Sequence, residues 1–179
     1  MKLFDGIPVI KNERIVLKRL TDGDIPSLLK MTADTDVYRY LPTFLFEQQY
    51  KDMQEMIKLL YTDCFERRES LILGIYTADE GLFCGLGEFY GFNDAMHKTC
   101  IGYRLMKECW GRGIASQAAA LMVDYLYTKT NTEIITASTM IENAASARVL
   151  EKCGFIRTAR AVPEDWGYQQ PTIADKWFR

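Results

Sequence analysis

The chain has 179 residues, of which 48% are hydrophobic, and its formal net charge is −2. This length and composition allow a sizeable core and predict a single globular domain over residues 1–179. The small net charge and the lack of a long basic run argue against nucleic acid or a membrane surface as a partner. No apolar run has the length of a membrane span.

Cysteine and histidine usage bounds the redox and metal chemistry. The five cysteines are odd in number and show no C-x-x-C spacing, so we expect reduced thiols in a cytoplasmic protein. His97 is the single histidine, which argues against a histidine-based metal site, and no metal is expected. The first residues contain Asp5 and Pro8 and lack an apolar run, so no signal peptide is expected.

The first third of the chain predicts one strand and two helices. Residues 14–20 alternate in hydropathy as a strand does, and Pro26 then follows a turn at a position that suits the first turn of a helix. Residues 47–65 predict a long amphipathic helix. Its expected apolar stripe is Met53, Met56, Ile57, Leu60 and Cys64.

The rest of the chain predicts mainly strands around one long helix. Residues 71–76, 82–92 and 99–106 predict an antiparallel meander, and the three glycines of its middle strand indicate a bulge or a ligand against the backbone. A helix is expected from Ile114 to Tyr125, and a shorter one from Asn143 to Cys153 that Gly154 ends. Further strands are expected over 134–138, 155–160 and 172–178, with a loop over 162–171.

A glycine-rich turn joins the strand at 99–106 to the long helix. It reads Trp110-Gly111-Arg112-Gly113-Ile114-Ala115. The first N–H groups of a helix lack intrahelical partners and attract anions, and glycine lets a phosphate approach the backbone closely. Arg112 adds a cation beside the same site. The alternative is a turn that needs glycine only for its shape. The dinucleotide G-x-G-x-x-G and ATP G-x-x-x-x-G-K-[ST] patterns do not match.

Two segments resemble the GNAT superfamily of acetyl-CoA-dependent N-acetyltransferases. The turn, preceded by Ile101-Gly102-Tyr103, is similar to the Q/R-x-x-G-x-G/A loop, in the form found in the Rim-type branch that acetylates ribosomal-protein N-termini. The run from Asn143 to Phe155 resembles the second GNAT signature. The resemblance implies an α/β (α+β) fold: a central mixed, mostly antiparallel sheet of about seven strands, flanking helices and a V-shaped split between the middle strands.

The resemblance also implies how acetyl-CoA, the expected cosubstrate, is held. Backbone groups of Leu105 and Met106 would pair with the pantetheine arm, and the Met106 N–H would polarise the acetyl carbonyl. The Asn143 amide would bond the cofactor, or Asn143 would serve only as a helix cap. The expected cofactor-binding residues are Leu105, Met106, Trp110, Gly111, Arg112, Gly113, Ile114, Ala115, Ser116, Asn143 and Ser146.

The general acid and the general base of the reaction do not follow directly from the two GNAT signatures. Many GNAT enzymes carry a tyrosine at the position of Leu150, where it protonates the departing thiolate. Ser146, one turn earlier on the same helix face, is the expected acid here, or else a small residue that lets CoA pass. Glu88 is the expected base for the attacking ammonium, or else an outward-facing strand residue. Glu164 and Asp165 are its rivals.

We expect the acceptor to be a protein or peptide N-terminal amine that attacks directly. A polyamine or an aminoglycoside is the first alternative, and a non-catalytic CoA-binding sensor, suggested by Leu150, is the second. The oligomeric state is open, and a homodimer is one option. An acidic patch for a polyamine would be built from Asp34, Asp36, Glu164 and Asp165. In the GNAT fold the helices equivalent to residues 47–65 wall the acceptor side. The resemblance therefore implies that the substrate is faced by Tyr38, Arg39, Tyr40 and Phe44.

Overall fold

The computed structural model describes residues 2–179 and is built around one eight-stranded sheet. The strands are β1 (Ile10–Lys11), β2 (Ile15–Lys18), β3 (Ser70–Thr77), β4 (Phe83–Asn93), β5 (Lys98–Leu105), β6 (Ile134–Met140), β7 (Ile156–Glu164) and β8 (Thr172–Phe178). Their order is β1-β2-β3-β4-β5-β6-β8-β7, and only β5 and β6 are parallel neighbours. The mixed, mostly antiparallel sheet is confirmed, with the short β1 as an extra strand.

Helices cover both faces of the sheet. They are α1 (Ile25–Thr32), α2 (Thr35–Tyr38), α3 (Met53–Leu60), α4 (Asp63–Glu66), α5 (Ile114–Lys129) and α6 (Ala144–Lys152). The long α5 packs against β2, β4 and β5, and α6 packs against α5. On the opposite face α2 contacts β5, while α3 and α4 contact β3. Successive residues of a strand point to opposite faces, so each strand of the sheet serves both layers.

The helix expected over residues 47–65 is shorter than predicted and is interrupted. The Asp52 side chain accepts from the N–H groups of Gln54 and Glu55, so this cap starts α3 at Met53. Thr62, with φ −117° and ψ −93°, separates α3 from α4. The expected apolar stripe is nevertheless buried throughout. Near the other end of the chain, β7 runs on to Glu164, where a loop from residue 162 was expected.

The split in the sheet lies between β5 and β6. Their pairing joins Lys98 to Ile134 and ends with Cys100 opposite Thr136. Both strands continue beyond this point, β5 paired with β4 as far as Leu105 and β6 paired with β8 as far as Met140. Because each strand follows its other neighbour, the two edges separate. This geometry confirms the predicted V-shaped split.

β4 approaches β5 closely at Gly85. Its φ is +152°, and a Cβ built there would lie 2.2 Å from the carbonyl oxygen of Arg104. The register of β3 against β4 shifts beside it, between Ile75 and Tyr76. The bulge expected from the glycines is therefore present. The group that lies against this glycine is the protein's own backbone and not a ligand.

We predict that Gly85→Ala lowers the free energy of unfolding by at least about 2 kcal/mol, because the methyl group meets backbone atoms that no side-chain rotation can remove. Urea unfolding followed by circular dichroism measures this. Gly6→Ala is the matched control, since no atom lies within 4 Å of the added Cβ. Equal losses in the two variants would show that the contact at Gly85 relaxes freely.

Candidate active site

A cavity of about 1400 Å³ runs through the split between β5 and β6. We call its two ends the α5 side and the α2 side. The α5 side is lined by residues 110, 111 and 113–116 and by α6, whereas Arg112 lines a separate small cavity; the α2 side is lined by residues within 36–50 and by the β7–β8 loop. Odd-numbered side chains of β5 face the α5 side and even-numbered ones face the α2 side.

The glycine-rich turn forms an open cradle on the α5 side. Gly111 and Gly113 have φ values of +69° and +77°, and no atom lies within 4 Å of a Cβ built on either. Gly113 is the N-cap of α5, so the N–H groups of Ile114 and the next two residues begin the helix and lack intrahelical partners. Arg112 is exposed beside them. Glycine is needed here for its backbone conformation, and the space left free fits a pyrophosphate.

The backbone N–H and C=O groups of β5 point alternately towards β4 and towards the split. The Met106 N–H donates to the Cys84 carbonyl at 2.9 Å, and the Met106 carbonyl accepts from Cys109. The expected role of Met106 in pairing with pantetheine and polarising a carbonyl is therefore wrong. Because edges alternate along a strand, the N–H groups of Tyr103 and Leu105 are the ones that point into the split. The indole N–H of Trp110 already occupies the Leu105 carbonyl, at 2.9 Å.

The start of α6 brings a serine and a tyrosine together. Asn143 caps the helix, and its Oδ1 accepts the Ser146 N–H at 3.1 Å, which leaves its amide nitrogen outside the cap. The Ser146 Oγ lies 2.9 Å from the Tyr103 hydroxyl, which also donates to the Ser146 carbonyl at 3.3 Å. Burial raises the pKa of Tyr103 above its usual range, so its hydroxyl stays protonated. Leu150 is a core residue, 1% exposed.

Tyr103 is a site residue that sequence reasoning missed. From the sequence, Tyr103 counts only as part of the Ile101-Gly102-Tyr103 run and as one position of an alternating strand. The same alternation places its side chain on the face of Ile101 and Leu105, towards α5 and α6, which is the signal that could have found it.

A buried ion network forms the floor of the α2 side. Arg104 donates to both oxygens of Glu47, at 2.5 and 2.6 Å, and to Glu88 at 2.8 Å. Tyr38 donates to Glu47 at 2.9 Å, and Ser70 donates to Glu88 at 2.7 Å. The side chains of Arg104 and Glu47 are 3% and 1% exposed. Glu88 thus lines the cavity as an oriented ion-pair partner. Two carboxylates share one guanidinium, which leaves a surplus of one negative charge.

Of the four carboxylates expected in an acidic patch, Asp36, Glu164 and Asp165 line the cavity and Asp34 does not. Asp36 forms an ion pair with Lys107, and Glu164 forms one with Lys176. The remaining two carboxylates of the expected patch accept backbone N–H groups within their own turns. Two of the four expected carboxylates are thus balanced by lysines, which leaves less free negative charge than the patch expected for a polycation.

Two loops meet over the α2 side and form what we call the loop clasp, residues 41–44 with 166–168. The Thr43 N–H donates to the Trp166 carbonyl at 2.9 Å, and the Tyr168 hydroxyl donates to the Leu41 carbonyl at 2.7 Å. Gly167 has a φ of +82°, and a Cβ on it would lie 2.1 Å from the Thr43 hydroxyl oxygen. Of the aromatic residues expected here, Tyr38 supports Glu47, whereas Tyr40 and Phe44 line the cavity, as does Arg39.

The sequence matches a protein-family model and curated proteins. The model of the acetyltransferase (GNAT) domain family matches residues 14–156. The uncharacterized N-acetyltransferase p20 of Bacillus licheniformis is 30% identical over 146 residues, which cover 80% of this chain and 79% of that protein.

Two solved structures share the fold. The spermidine N-acetyltransferase of Vibrio cholerae, in complex with CoA and spermine, superposes with a TM-score of 0.76 at 20% identity, covering 94% of this chain and 96% of that chain. RimL, a ribosomal L7/L12 alpha-N-protein acetyltransferase in complex with coenzyme A, gives a TM-score of 0.78 at 15% identity, covering 96% and 97%.

Two further observations concern residues 2–179 as a whole. In this part of the chain no three His, Cys, Asp or Glu side chains are grouped so that they could hold a metal ion. No helix in the same range combines the length and the apolar character needed to cross a membrane.

We predict that Arg104→Met lowers the free energy of unfolding by about 3–5 kcal/mol, because two carboxylates then lie buried without their cation. Chemical denaturation measures the change. Arg67→Met serves as the control: Arg67 is exposed and lies 3.8 Å from Asp63, so its removal should cost no more than about 1 kcal/mol. A similar cost for both variants would mean that the buried network is screened as a surface pair is.

Proposed function

We propose a function from one premise: the chain belongs to the acetyltransferase (GNAT) family and is an acetyl-CoA-dependent N-acetyltransferase. Our proposal is that its acceptor is the N-terminal amine of a protein or peptide. The observation that carries it is the charge balance of the buried network of Arg104, Glu47 and Glu88 in the floor of the α2 side, which has one surplus negative charge.

A single surplus charge suits a single ammonium group. A polyamine brings several ammonium groups and needs several unpartnered carboxylates, whereas Asp36 and Glu164 are already paired with lysines. An N-terminal amine brings one charge and is followed by an extended, largely neutral chain. The aromatic and apolar lining near the loop clasp, including Tyr40, Phe44 and Trp166, offers surface for such a chain.

The cofactor residues follow from the same geometry. In our proposal the pyrophosphate binds at Gly111, Gly113 and the first turn of α5, and the pantetheine arm enters the split beside β5. Acetyl-CoA supplies the thioester that is attacked. The N–H groups of Tyr103 and Leu105 take the polarising role first expected of Met106, because they are the ones that face the split.

The proton transfers are assigned to residues on opposite faces of β5. We propose that Glu88, oriented by Arg104 and Ser70, holds the acceptor ammonium and takes its proton, directly or through a water molecule. On the other face Ser146, hydrogen-bonded to Tyr103, protonates the thiolate as it leaves. Direct transfer needs no acyl-enzyme, so no nucleophilic side chain is required.

The cellular setting is part of the proposal. All five cysteines are free thiols in the structure. We place the enzyme in the cytoplasm, where thiols stay reduced, and take residues 1–179 as one catalytic domain.

The acceptor is tested with a panel of amines: peptides with N-terminal Ser or Ala, spermidine and an aminoglycoside. We predict that only a peptide gains the mass of one acetyl group, because the buried network in the floor of the α2 side balances one ammonium. Product mass spectrometry reads the result without interference from the protein's thiols. Acetylation of spermidine or the drug alone would replace the peptide proposal with a small-molecule acceptor.

Gly111→Glu is the control for that panel. It places a carboxylate in the cradle proposed for the pyrophosphate and should weaken acetyl-CoA affinity at least about tenfold. Unchanged affinity would show that the cofactor loop is misplaced.

We predict that Ser146→Ala and Tyr103→Phe each lower kcat about 100-fold, with the KM for acetyl-CoA little changed, because both remove a donor used as the thiolate leaves. The double variant should be no slower than the worse single variant, since the two hydroxyls act as one unit. Tyr127→Phe, at an exposed tyrosine, is the control. Steady-state kinetics with full kcat in both single variants would remove the pair from the mechanism.

A further inference from the structure

We propose that Lys176 is an internal acceptor, which the active site of the same chain acetylates. The inference rests on the proposed function in using the α2 side as the side from which an amine attacks and the Tyr103 N–H as a donor to the acetyl carbonyl. Lys176 lies on β8 opposite Ser138 of β6, and its side chain is 31% exposed. Its Nζ donates to the Ser138 Oγ at 3.2 Å and forms an ion pair with Glu164. Both Lys176 and Glu164 line the cavity.

The strand register places Lys176 on the attacking side of the sheet. Cys100 is opposite Thr136, and their Sγ and Oγ1 atoms are 2.9 Å apart on the α2 side. Ser138 lies two residues further along β6, so its side chain points to the same side, and the side chain of its partner Lys176 does too. The amine therefore faces the end of the cavity from which the acceptor attacks.

The register also places Lys176 level with the proposed position of the acetyl carbonyl. Gly102 lies two residues beyond Cys100 on β5, so Gly102 and Ser138 are the first positions on this face where the strands have separated. Gly102 has no side chain, and the Tyr90 ring lies 3.4 Å from the position of an added Cβ, so the cavity beside Ser138 is bordered here by that ring and the β5 backbone. The next N–H along β5, that of Tyr103, points into the split and is a proposed donor to the acetyl carbonyl. Lys176 borders that space.

The surroundings of Lys176 suit a nucleophile. An attacking amine must be neutral, and burial lowers the pKa of Lys176; the nearby Cys100 thiol raises this pKa and the Lys98 cation lowers it. The Glu164 carboxylate, which also accepts from the Trp166 indole at 3.2 Å, is in place to receive the proton. The Nζ lone pair forms the new C–N bond as the C–S bond of the thioester breaks. The Lys176 ammonium gives one proton to Glu164 before the attack, and the second proton, lost from the nitrogen as the C–N bond forms, ends on the CoA thiolate. The products are acetyl-lysine and CoA.

Two other lysines line the cavity but are not so placed. Lys98 lies where β5 and β6 are still paired, and Lys152 lies at the end of α6 on the α5 side. Acetylation of Lys176 removes the cation that balances Glu164 and adds bulk to the α2 side. The modified enzyme is therefore expected to bind its external acceptor less well.

The test is to incubate the full-length protein with acetyl-CoA and no acceptor, then measure intact mass and map the modified peptide. We expect one acetyl group per chain, located at Lys176, at a first-order rate that does not change with protein concentration. Lys176→Arg should abolish this modification, whereas Lys98→Arg should retain it. Gly111→Glu should slow acetylation of Lys176 and leave the slow chemical acetylation of exposed lysines unchanged.

The outcomes separate this inference from the proposed acceptor. If a peptide of the panel is acetylated and Lys176 is not, the internal acceptor is wrong and the proposed function stands. If Lys176 is acetylated and no peptide is, the peptide acceptor fails and the internal acceptor stands. Acetyl groups spread over exposed lysines equally in wild type and Gly111→Glu would overturn the inference, because that pattern is chemical acetylation. A rate that rises with protein concentration would also overturn it, because transfer would then occur between molecules.

Discussion

Both sides of the active site depend on the ion pairs of the Arg104 guanidinium. Residue Arg104 lies between Tyr103 and Leu105 on β5, so holding its side chain in place also holds the two N–H groups that face the split. At its other end it holds Glu47, which carries the segment lining the α2 side. Burying these charges is costly in desolvation, and networks of this kind contribute more to orientation than to net stability. The surplus negative charge that we assign to the acceptor arises from the same network.

Strand β5 shows how much one extended segment can do. On its even-numbered face Arg104 contacts Glu47 on the α2 side, and on its odd-numbered face Tyr103 contacts Ser146 of α6. One backbone edge is used by β4, while the other is released where the pairing with β6 ends. The split therefore needs no special cofactor motif within the strand. It follows from two strands that each remain bonded to a different neighbour.

Local signals predicted most of the fold. Alternation, periodicity, Asn143 and the glycine turn gave β2 to β6, β8, α5 and α6, because these features depend on residues close in sequence. The helix expected over residues 47–65 is shorter because the local Asp52 cap starts α3 at Met53, and Glu47, which lies outside α3, is held by Arg104, 57 residues away. An ion pair between residues distant in sequence leaves no local pattern. Glu88 could therefore be recognised as a cavity carboxylate, whereas its pairing with Arg104 could not. Met106 was assigned to the wrong edge because sequence periodicity fixes side-chain faces and not which neighbour receives the backbone.

The loop clasp has a consequence for how acceptor preference can change. Two of its hydrogen bonds end on main-chain carbonyls, those of Trp166 and Leu41, so their acceptors exist whatever side chains these positions carry. The residues that line the α2 side can therefore be exchanged while the loops stay joined, provided that Gly167 keeps its backbone conformation. The cradle at Gly111 and Gly113 lies on the other side of the sheet and shares none of these contacts. Acceptor range is thus open to variation, natural or designed, without loss of the cofactor site.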